Sequence, residues 1–173
     1  QRQMCIRDRK KIDSEKALNA IKDQSYKITD VSSKVFRRNP LAPFTTSTLQ
    51  QSASGKYGFG ASRTMQIAQR LYQGIDLEGD TIGLITYMRT DGTNISKEAI
   101  TDFRNFINKE HGKEYLPEVP NNYSGKKAKN AQEAHEAIRP TDVNRKPSDL
   151  KKYLSTDQSK LYELIWNLSL IHI

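Results

Sequence analysis

The sequence predicts an α+β fold that is mainly helical. Residues 62–73 place apolar side chains on one helical face and are followed by a glycine, as helices often are. Residues 45–53 begin with hydroxyl side chains suited to an N-cap and continue into helix formers. Residues 81–88 form the most strand-like stretch and lie between two turn signals, so we expect a short sheet beside the helices.

The first forty residues predict a helix followed by strands. Residues 10–23 carry apolar side chains at roughly helical spacing. Residues 25–37 alternate apolar and polar side chains, which predicts one or two short strands with one face in solvent. Pro40 and Pro43 break this pattern, so a boundary is expected near residues 39–43.

The middle of the chain predicts more helices. Those at 45–53 and 62–73 are separated by glycines, which is the outline of a helix-turn-helix unit. A further helix is predicted from Asn94 to about Glu110, and a loop rich in Gly, Pro, Asn and Lys over 111–130.

Two more helices are expected towards the end. Asn130 is a candidate N-cap, and Glu133 three positions later completes a capping box. This short helix is expected to end at Arg139, because Pro140 disfavours helical geometry in the residue before it. A last helix is predicted at 157–168.

The net charge predicts a polyanionic partner. Lys and Arg total 28 against 20 Asp and Glu, which gives a charge of +8 and a pI near 9.5. Each phosphate that a basic side chain neutralises releases condensed counterions. No apolar run approaches the roughly 20 residues that span a bilayer, and no signal peptide is visible, so we expect a cytoplasmic protein without a membrane partner. The single Cys5 excludes an internal disulfide, and three scattered histidines argue against a metal cluster built on imidazole.

Tyr87 and Arg89 are candidate catalytic residues. If residues 81–88 form a strand, the two side chains share one face near its end. A phenol with an unperturbed pKa of about 10 is a poor nucleophile at neutral pH. A neighbouring guanidinium lowers the cost of the phenolate and can hold a phosphate, so the pair suits attack on a phosphodiester. A cross-strand aromatic beside a solvated arginine fits the same spacing, and both interpretations stay open.

His135 is a third candidate. On the predicted helix, His135 and Arg139 are four residues apart and share a face, with Glu136 alongside. A histidine near neutrality can donate to a phosphate or transfer a proton. The segment begins like the zinc motif His-Glu-x-x-His, but Arg139 stands where the second ligand belongs, which excludes that motif. A surface helix with ordinary ion pairs remains the alternative.

Basic and hydroxyl side chains at the predicted helix starts suit phosphate binding. The loop 125–129 carries three lysines directly before the short helix, where free backbone N–H groups point outward. Arg63, Thr64 and the hydroxyls of residues 45–48 offer similar contacts at the first two helices. A run of lysines is more often a solvated loop, and that alternative also stays open.

Taken in chain order, several stretches resemble the type IA DNA topoisomerases, and most closely the bacterial topoisomerase I group. They are PFTTSTLQQSAS at 43–54, GLITYMRTDGTNIS at 83–96 and AQEAHEAIRPTDV at 131–143. The stretch TMQIAQRLYQG at 64–74 also fits, and the resemblance covers roughly residues 25–166. A tyrosine–arginine pair followed downstream by this histidine segment is highly specific.

The resemblance implies a reaction and assigns roles. Tyr87 matches the family's nucleophile, which attacks one DNA strand and leaves a 5′-phosphotyrosyl link with a free 3′ hydroxyl. Arg89 matches the residue that positions the tyrosine and the scissile phosphate, and His135 matches a histidine of the cleavage site. Because the bond energy is kept in the covalent link, resealing needs no ATP. In this family the reaction relaxes negatively supercoiled DNA by passing a strand through the break.

The resemblance implies DNA, both single-stranded and negatively supercoiled, as the partner, and a place at the nucleoid within the cytoplasm. The side chains expected to contact DNA lie at helix starts, after Tyr87, in the lysine loop and around His135. They are Thr46, Ser47, Thr48, Gln51, Arg63, Thr90, Asp91, Lys127, Lys129, Glu136 and Arg139.

The resemblance also implies a longer enzyme. Residues 43–147 match the tyrosine domain that cleaves DNA and opens as a gate, residues 10–42 the end of an arch domain, and residues 148–166 a helix returning into the arch. The family holds Mg²⁺ in an N-terminal Toprim domain, and this sequence has no comparable acidic cluster. We therefore expect no metal in this chain, and no complete catalysis by it alone. Residues 1–9 and 167–173 do not continue the family's sequence and are expected to be non-native ends.

One departure and two rivals qualify this interpretation. Gly92 stands where the family usually has Ser, which puts any contact from that hydroxyl in doubt. A non-catalytic helix-turn-helix DNA-binding module would explain the charge and leave Tyr87 as packing. A tyrosine recombinase would link to the 3′ phosphate instead, but the order of the motifs argues against it. Within the family, the motifs favour topoisomerase I over topoisomerase III and reverse gyrase.

Overall fold

The computed structural model describes residues 11–22, 24–36, 38–123 and 135–171. Contacts divide the chain into two compact units, Gln1–Arg38 and Asn39–Ile173, which are described separately. Within the described ranges, no helix is both long and apolar enough to cross a bilayer. The assignment of segments to arch and cleavage domains stays a prediction.

The first unit contains helix α1 (Lys11–Ile21), which confirms the helix predicted at the start of the chain. None of its residues is buried. Lys11 and Glu15, one turn apart, form an exposed ion pair with an N–O distance of 3.8 Å. Such pairs contribute only a few tenths of a kcal/mol.

The strands predicted over 25–37 are wrong for the residues described there. Residues 24–36 form no strand, and their apolar side chains are exposed, Ile28 by 86% and Val35 by 98%. An alternating pattern forms a sheet only where a second strand satisfies its backbone and a packed face covers its apolar side. The described residues of this unit offer neither to the segment.

The second unit is mainly helical with a small sheet, as predicted. Helices α2, α3, α4 and α6 fall within a few residues of the helices expected from sequence. In chain order its described elements are α2 (Thr46–Tyr57), α3 (Ala61–Gln73), β1 (Ile75–Leu77), β2 (Asp80–Ile82), α4 (Lys97–Glu110), a 3-10 turn at Lys113–Tyr115, α5 (Pro147–Leu150) and α6 (Thr156–Ile171).

Helices α2 and α3 begin and end where local chemistry dictates. Thr45 caps α2, because its side chain accepts from the Thr48 N–H while the Thr48 hydroxyl accepts from the Thr45 N–H. Gly58 ends α2 in the left-handed conformation, with φ of 69° and a backbone N–H donated to the last turn. The helix-turn-helix outline predicted from sequence is therefore present as two consecutive helices joined by a glycine turn.

The sheet is an antiparallel hairpin of β1 and β2, with Ile75 opposite Ile82. Its turn contains Glu78 and Gly79, whose φ values are 61° and 103°. Positive φ at both central residues is typical of the two-residue turns that match the strands' twist. The hairpin begins six residues earlier than the strand predicted at 81–88.

That predicted strand is only partly correct, because regular pairing stops with β2. Beyond it, the Leu84 N–H donates to the Leu71 carbonyl at 2.7 Å, and the Thr86 N–H donates to the Arg139 carbonyl at 2.9 Å. Ile85 makes an isolated antiparallel bridge. This segment is bonded alternately to the end of α3 and to a distant part of the chain, so no continuous ladder forms.

The main core lies between α2, α3, α6 and the segment after β2. Helix α6 runs past the predicted end of that helix to Ile171, and Leu168 and Ser169 are buried. The buried members of the core are Phe44, Leu49, Ala53, Phe59, Ile67, Ala68, Leu71, Leu84, Ile85, Met88, Ile138, Leu150, Leu154, Leu161, Tyr162, Ile165 and Leu168.

A second cluster holds α4 against the rest of the unit. Phe103, Phe106 and Val143 belong to it. Trp166 of α6 packs edge-on against Phe106 with ring centroids 5.7 Å apart, and its Nε1 donates to the Val143 carbonyl at 3.0 Å. Buried indole N–H groups need such a partner, so this bond fixes the ring while its body seals the cluster.

We predict that Leu49→Ala lowers the free energy of unfolding by about 2–5 kcal/mol, because it opens a cavity in the main core. Leu49 is fully buried, whereas Leu41, the matched control, is 71% exposed. Leu41→Ala should change the free energy of unfolding by less than about 0.5 kcal/mol. Urea unfolding followed by Trp166 fluorescence measures both, and equal effects would contradict the assigned core.

We predict that the unit loses stability above about pH 10, the pKa of tyrosine in unfolded chains. Burial raises the pKa of Tyr162, whose hydroxyl donates to the Arg145 carbonyl at 2.8 Å. Above about pH 10 the unfolded state releases a proton that the folded state keeps, so stability falls as the pH rises. Below about pH 10 the Tyr162 phenol keeps its proton in both the folded and the unfolded state, so the stabilising contribution of the buried neutral phenol is fully present.

The check compares urea unfolding at about pH 9 and about pH 11. Tyr162→Phe should lose less stability between the two pH values than the parent chain does. Tyr115→Phe, which alters an exposed ring, should behave like the parent. An identical loss in Tyr162→Phe would show that other groups cause the pH dependence.

Candidate active site

Tyr87 lies in an irregular loop that follows β2, and its ring is half-buried against the main core. Its ring centroid lies 5.5 Å from that of Tyr72, at the end of α3, in an edge-on arrangement. The centroid of the His135 imidazole lies 4.6 Å from that of the Tyr87 ring. The structure therefore brings together two candidate residues that are far apart in sequence.

The helix predicted to carry His135 does not include the residues described there. Residues 124–134 lie outside the described residues, and His135 to Arg139 are extended rather than helical. Their backbone N–H groups bond to distant partners: Ala137 to the Asn94 carbonyl at 2.9 Å and Ile138 to the Phe44 carbonyl at 2.8 Å. Bonds to neighbouring segments replace the bonds of a helical turn, so His135 and Arg139 do not share a helical face.

Arg89 is exposed two residues after Tyr87. Within the described part of the chain its guanidinium has neither a hydrogen bond nor an ion pair. It borders an open groove of about 490 Å³ on the polar face of α3. The other residues lining this groove are Ser62, Met65, Gln66, Gln69, Arg70 and Gln73.

Sequence reasoning missed Tyr72 and the polar face of α3. Gln66, Gln69, Arg70 and Gln73 recur at intervals of three and four, which places them on one face. Long amide and guanidinium side chains on one helical face were the available signal. That signal is weak by itself, because a solvent-exposed face has the same pattern.

Glu136 and Arg139 are paired with each other. Arg139 Nη2 donates to Glu136 Oε1 at 2.8 Å and its Nε donates to Oε2 at 3.0 Å. The Ser96 N–H also donates to Glu136 Oε2, at 3.3 Å, and the Arg139 side chain is only 12% exposed. This two-point pair joins the start of α4 to the His135 segment, so a DNA contact from Arg139 would require breaking it.

The hydroxyls predicted to bind DNA near α2 have internal partners. Thr48 takes part in the α2 cap, and Ser47 accepts from Gln51 Nε2 at 3.1 Å on an exposed surface. The Thr46 hydroxyl donates to the Met88 carbonyl at 2.8 Å. Of these residues, Ser47, Thr48 and Gln51 lie on the exposed surface, and Thr46 is half-buried.

The remaining predicted contacts are scattered. Arg63 forms an exposed ion pair with Asp157 at 2.5 Å, and Asp91 is exposed. Thr90 is buried, and its hydroxyl accepts from the Gly92 N–H at 2.9 Å. Lys127 and Lys129 lie outside the described residues.

Gly92 permits a close approach between the loop and the His135 segment. A Cβ at Gly92 would lie 2.5 Å from the His135 carbonyl oxygen and 3.2 Å from the Thr90 hydroxyl. Real Cβ atoms do not approach backbone oxygen so closely, so a side chain here would displace one of the two segments. Gly92 therefore packs tightly against the backbone of His135, a candidate catalytic residue. The resemblance leads one to expect serine at this position.

A family model described as DNA topoisomerase matches residues 4–173. The chain belongs to this family. It is 54% identical over 146 residues to DNA topoisomerase 1 of Rickettsia bellii (strain RML369-C), covering 84% of this chain and 18% of that protein. It is 54% identical over 140 residues to DNA topoisomerase 1 of Xylella fastidiosa (strain Temecula1 / ATCC 700964), covering 80% of this chain and 17% of that protein.

The fold agrees with a solved structure of the family. Full-length topoisomerase I from Thermotoga maritima matches with a TM-score of 0.65 and 46% identity, covering 77% of this chain and 20% of that one. The chain therefore spans about a fifth of the length of the relatives it matches. The family and the mainly helical fold predicted from sequence are confirmed, while the roles of individual residues stay predictions.

We predict that Gly92→Ala destabilises the second unit by about 1–3 kcal/mol, because the new methyl group is forced against the His135 carbonyl. Gly55→Ala is the matched control, since a Cβ there has no neighbour within 4 Å. In helix α2 that change should stabilise by up to about 1 kcal/mol. Chemical denaturation measures both, and a neutral Gly92→Ala would mean that the two segments separate freely.

Proposed function

We propose that this chain supplies the nucleophilic tyrosine of a type IA DNA topoisomerase. The observation that carries the proposal is the contact between the Tyr87 and His135 rings, 4.6 Å apart, with exposed Arg89 two residues further on. Three residue types suited to phosphodiester chemistry come from two distant segments of a DNA topoisomerase family chain. Such convergence is what a cleavage site requires.

In the proposed step, the phenolic oxygen of Tyr87 attacks a backbone phosphorus. A tyrosyl–phosphate bond forms on the 5′ side while the bond from phosphorus to the 3′ oxygen breaks. The phenol gives up its proton, and the departing 3′ oxygen gains one to become a hydroxyl. Attack by this hydroxyl on the phosphotyrosine reverses each change, so one exchange is divided into two reversible steps.

Arg89 and His135 fit supporting roles in this step. The free guanidinium of Arg89 can hold two phosphate oxygens at once and offset the negative charge that develops on them. The imidazole of His135, exposed beside the Tyr87 ring, can donate a hydrogen bond to the same phosphate.

The rest of the proposed activity belongs to a longer chain. Relaxation of negatively supercoiled DNA requires a gate through which a second strand passes, and we propose that this chain is the gate segment, working with arch and Toprim domains. Because the phosphotyrosyl bond keeps the energy of the broken phosphodiester bond, resealing needs no ATP. We propose cytoplasmic action on nucleoid DNA, with single-stranded and negatively supercoiled DNA as partners and no complete reaction by this chain alone.

We assign the family's magnesium ion to the Toprim domain. The described residues contain no group of three or more His, Cys, Asp or Glu side chains that could hold a metal ion. No step above passes through a metal.

The test is Tyr87→Phe in a full-length enzyme, made by replacing the matching segment of the Rickettsia bellii relative with this chain. Covalent adduct with a single-stranded oligonucleotide should fall below about a thousandth of the parent value, because the nucleophile is gone. Oligonucleotide binding should remain, which shows that the protein is folded. Tyr57→Phe, which removes a phenol from α2, is the matched control and should form adduct normally.

End-labelling the oligonucleotide identifies the bond that is formed. In a 5′-phosphotyrosyl adduct, label at the 3′ end stays on the protein and label at the 5′ end is released with the free 3′ hydroxyl. Retention of the 5′-end label instead would indicate recombinase chemistry. Adduct formation by Tyr87→Phe would show that another residue is the nucleophile and would overturn the assignment. No adduct from the unsubstituted enzyme would favour a non-catalytic helix-turn-helix module.

A further inference from the structure

Two threonine hydroxyls bond to the backbone on either side of Tyr87. Thr46 Oγ1 donates to the Met88 carbonyl at 2.8 Å and accepts from the Thr90 N–H at 2.8 Å. A weaker contact to the Thr90 carbonyl, at 3.2 Å, shares the same hydrogen. The Thr46 N–H itself donates to the Thr90 carbonyl at 2.9 Å. The start of α2 therefore holds the backbone on both sides of Arg89.

Thr86 makes the same kind of bridge on the other side of Tyr87. Its Oγ1 donates to the Ala137 carbonyl at 2.7 Å and accepts from the Arg139 N–H at 3.0 Å. Its backbone N–H donates to the Arg139 carbonyl at 2.9 Å. The residue directly before Tyr87 is thus tied to the segment that begins at His135.

These bridges replace regular secondary structure. The loop from residue 83 to 91 belongs to neither a helix nor a ladder, so its backbone groups need other partners. A hydroxyl that both donates and accepts satisfies two of them with one side chain. Because catalysis depends on placement within fractions of an ångström, loss of either bridge should let the tyrosine move away from its phosphate.

The bonding also argues against a DNA contact by Thr46. A hydroxyl has one hydrogen to donate, and that hydrogen is directed at the Met88 carbonyl. A phosphate oxygen only accepts, so Thr46 could bind it only by giving up that bond. The backbone N–H of Thr46 is also used, which leaves this residue nothing to offer a phosphate.

We infer that Thr46 and Thr86 are positioning residues that hold Tyr87, Arg89 and His135 in their reactive arrangement. The inference rests on the proposed function and deepens it. Neither hydroxyl touches DNA; each acts through the backbone of the residues that do. Thr46 sets the loop carrying Arg89, and Thr86 sets the spacing between the Tyr87 and His135 segments.

The test uses the full-length enzyme described for Tyr87→Phe, with Thr46→Val and Thr86→Val, which keep the side-chain shape and remove the hydroxyl. At saturating oligonucleotide, the rate of adduct formation should fall about tenfold or more in each, because positioning is lost. Affinity for the oligonucleotide should stay within about twofold, since no DNA contact is removed. Thr46→Ser and Thr86→Ser keep the hydroxyl and should restore the rate.

Thr141→Val is the matched control. Its hydroxyl donates to the Gly83 carbonyl at 2.7 Å and so joins the same two segments, away from Tyr87. It should leave the rate at saturation unchanged. A second measurement uses the 173-residue chain itself: the nuclear Overhauser effect between the Tyr87 and His135 rings should weaken in both valine variants and persist in both serine variants.

The outcomes separate this inference from the proposed function. Adduct formation at the parent rate in Thr46→Val and Thr86→Val overturns the inference alone. A loss of affinity without a loss of rate at saturation also overturns it, because it indicates direct DNA contact. Equal losses in Thr141→Val show general destabilisation and overturn it as well. No adduct from the unsubstituted enzyme overturns the proposed function and this inference together.

Discussion

The second unit depends on one extended segment, residues 135–141, that is hydrogen-bonded on both sides. On one side Ile138 pairs with Phe44, just before α2, and on the other Thr86 and Leu84 pair with the chain around Arg139. The Ile138 side chain is fully buried in the main core. A buried backbone must satisfy its hydrogen bonds, so these partners hold three distant parts of the chain in one register.

The candidate site follows from that register. Once Ile138 is anchored, His135 emerges at the surface beside the loop that carries Tyr87, and the rings meet. Gly92 lets the loop lie against the His135 backbone without a clash. The pair of Glu136 and Arg139 then links the segment to the start of α4. The residues around His135 therefore hold the His135 segment in place, and their polar groups are used for contacts within the fold.

Arg89 and Arg139 carry the same charge in different surroundings. Arg139 is largely buried and paired, so its charge is neutralised within the fold. Arg89 is exposed and free within the described residues, beside a polar groove on α3 that also contains Arg70. An unpaired guanidinium is available to a phosphate without loss of an internal bond. The basic composition alone does not distinguish these two environments.

Sequence by itself determined helices α2, α3, α4 and α6 and the family. Apolar spacing, N-caps and terminal glycines are local signals, and α2, α3, α4 and α6 lie close to where those signals placed them. Tertiary structure decided the rest. The segment after His135 is extended rather than helical, and the Thr46 hydroxyl faces the backbone, because their partners lie some 40 to 90 residues away. Local periodicity carries no information about such partners, so only the folded chain shows which groups they satisfy.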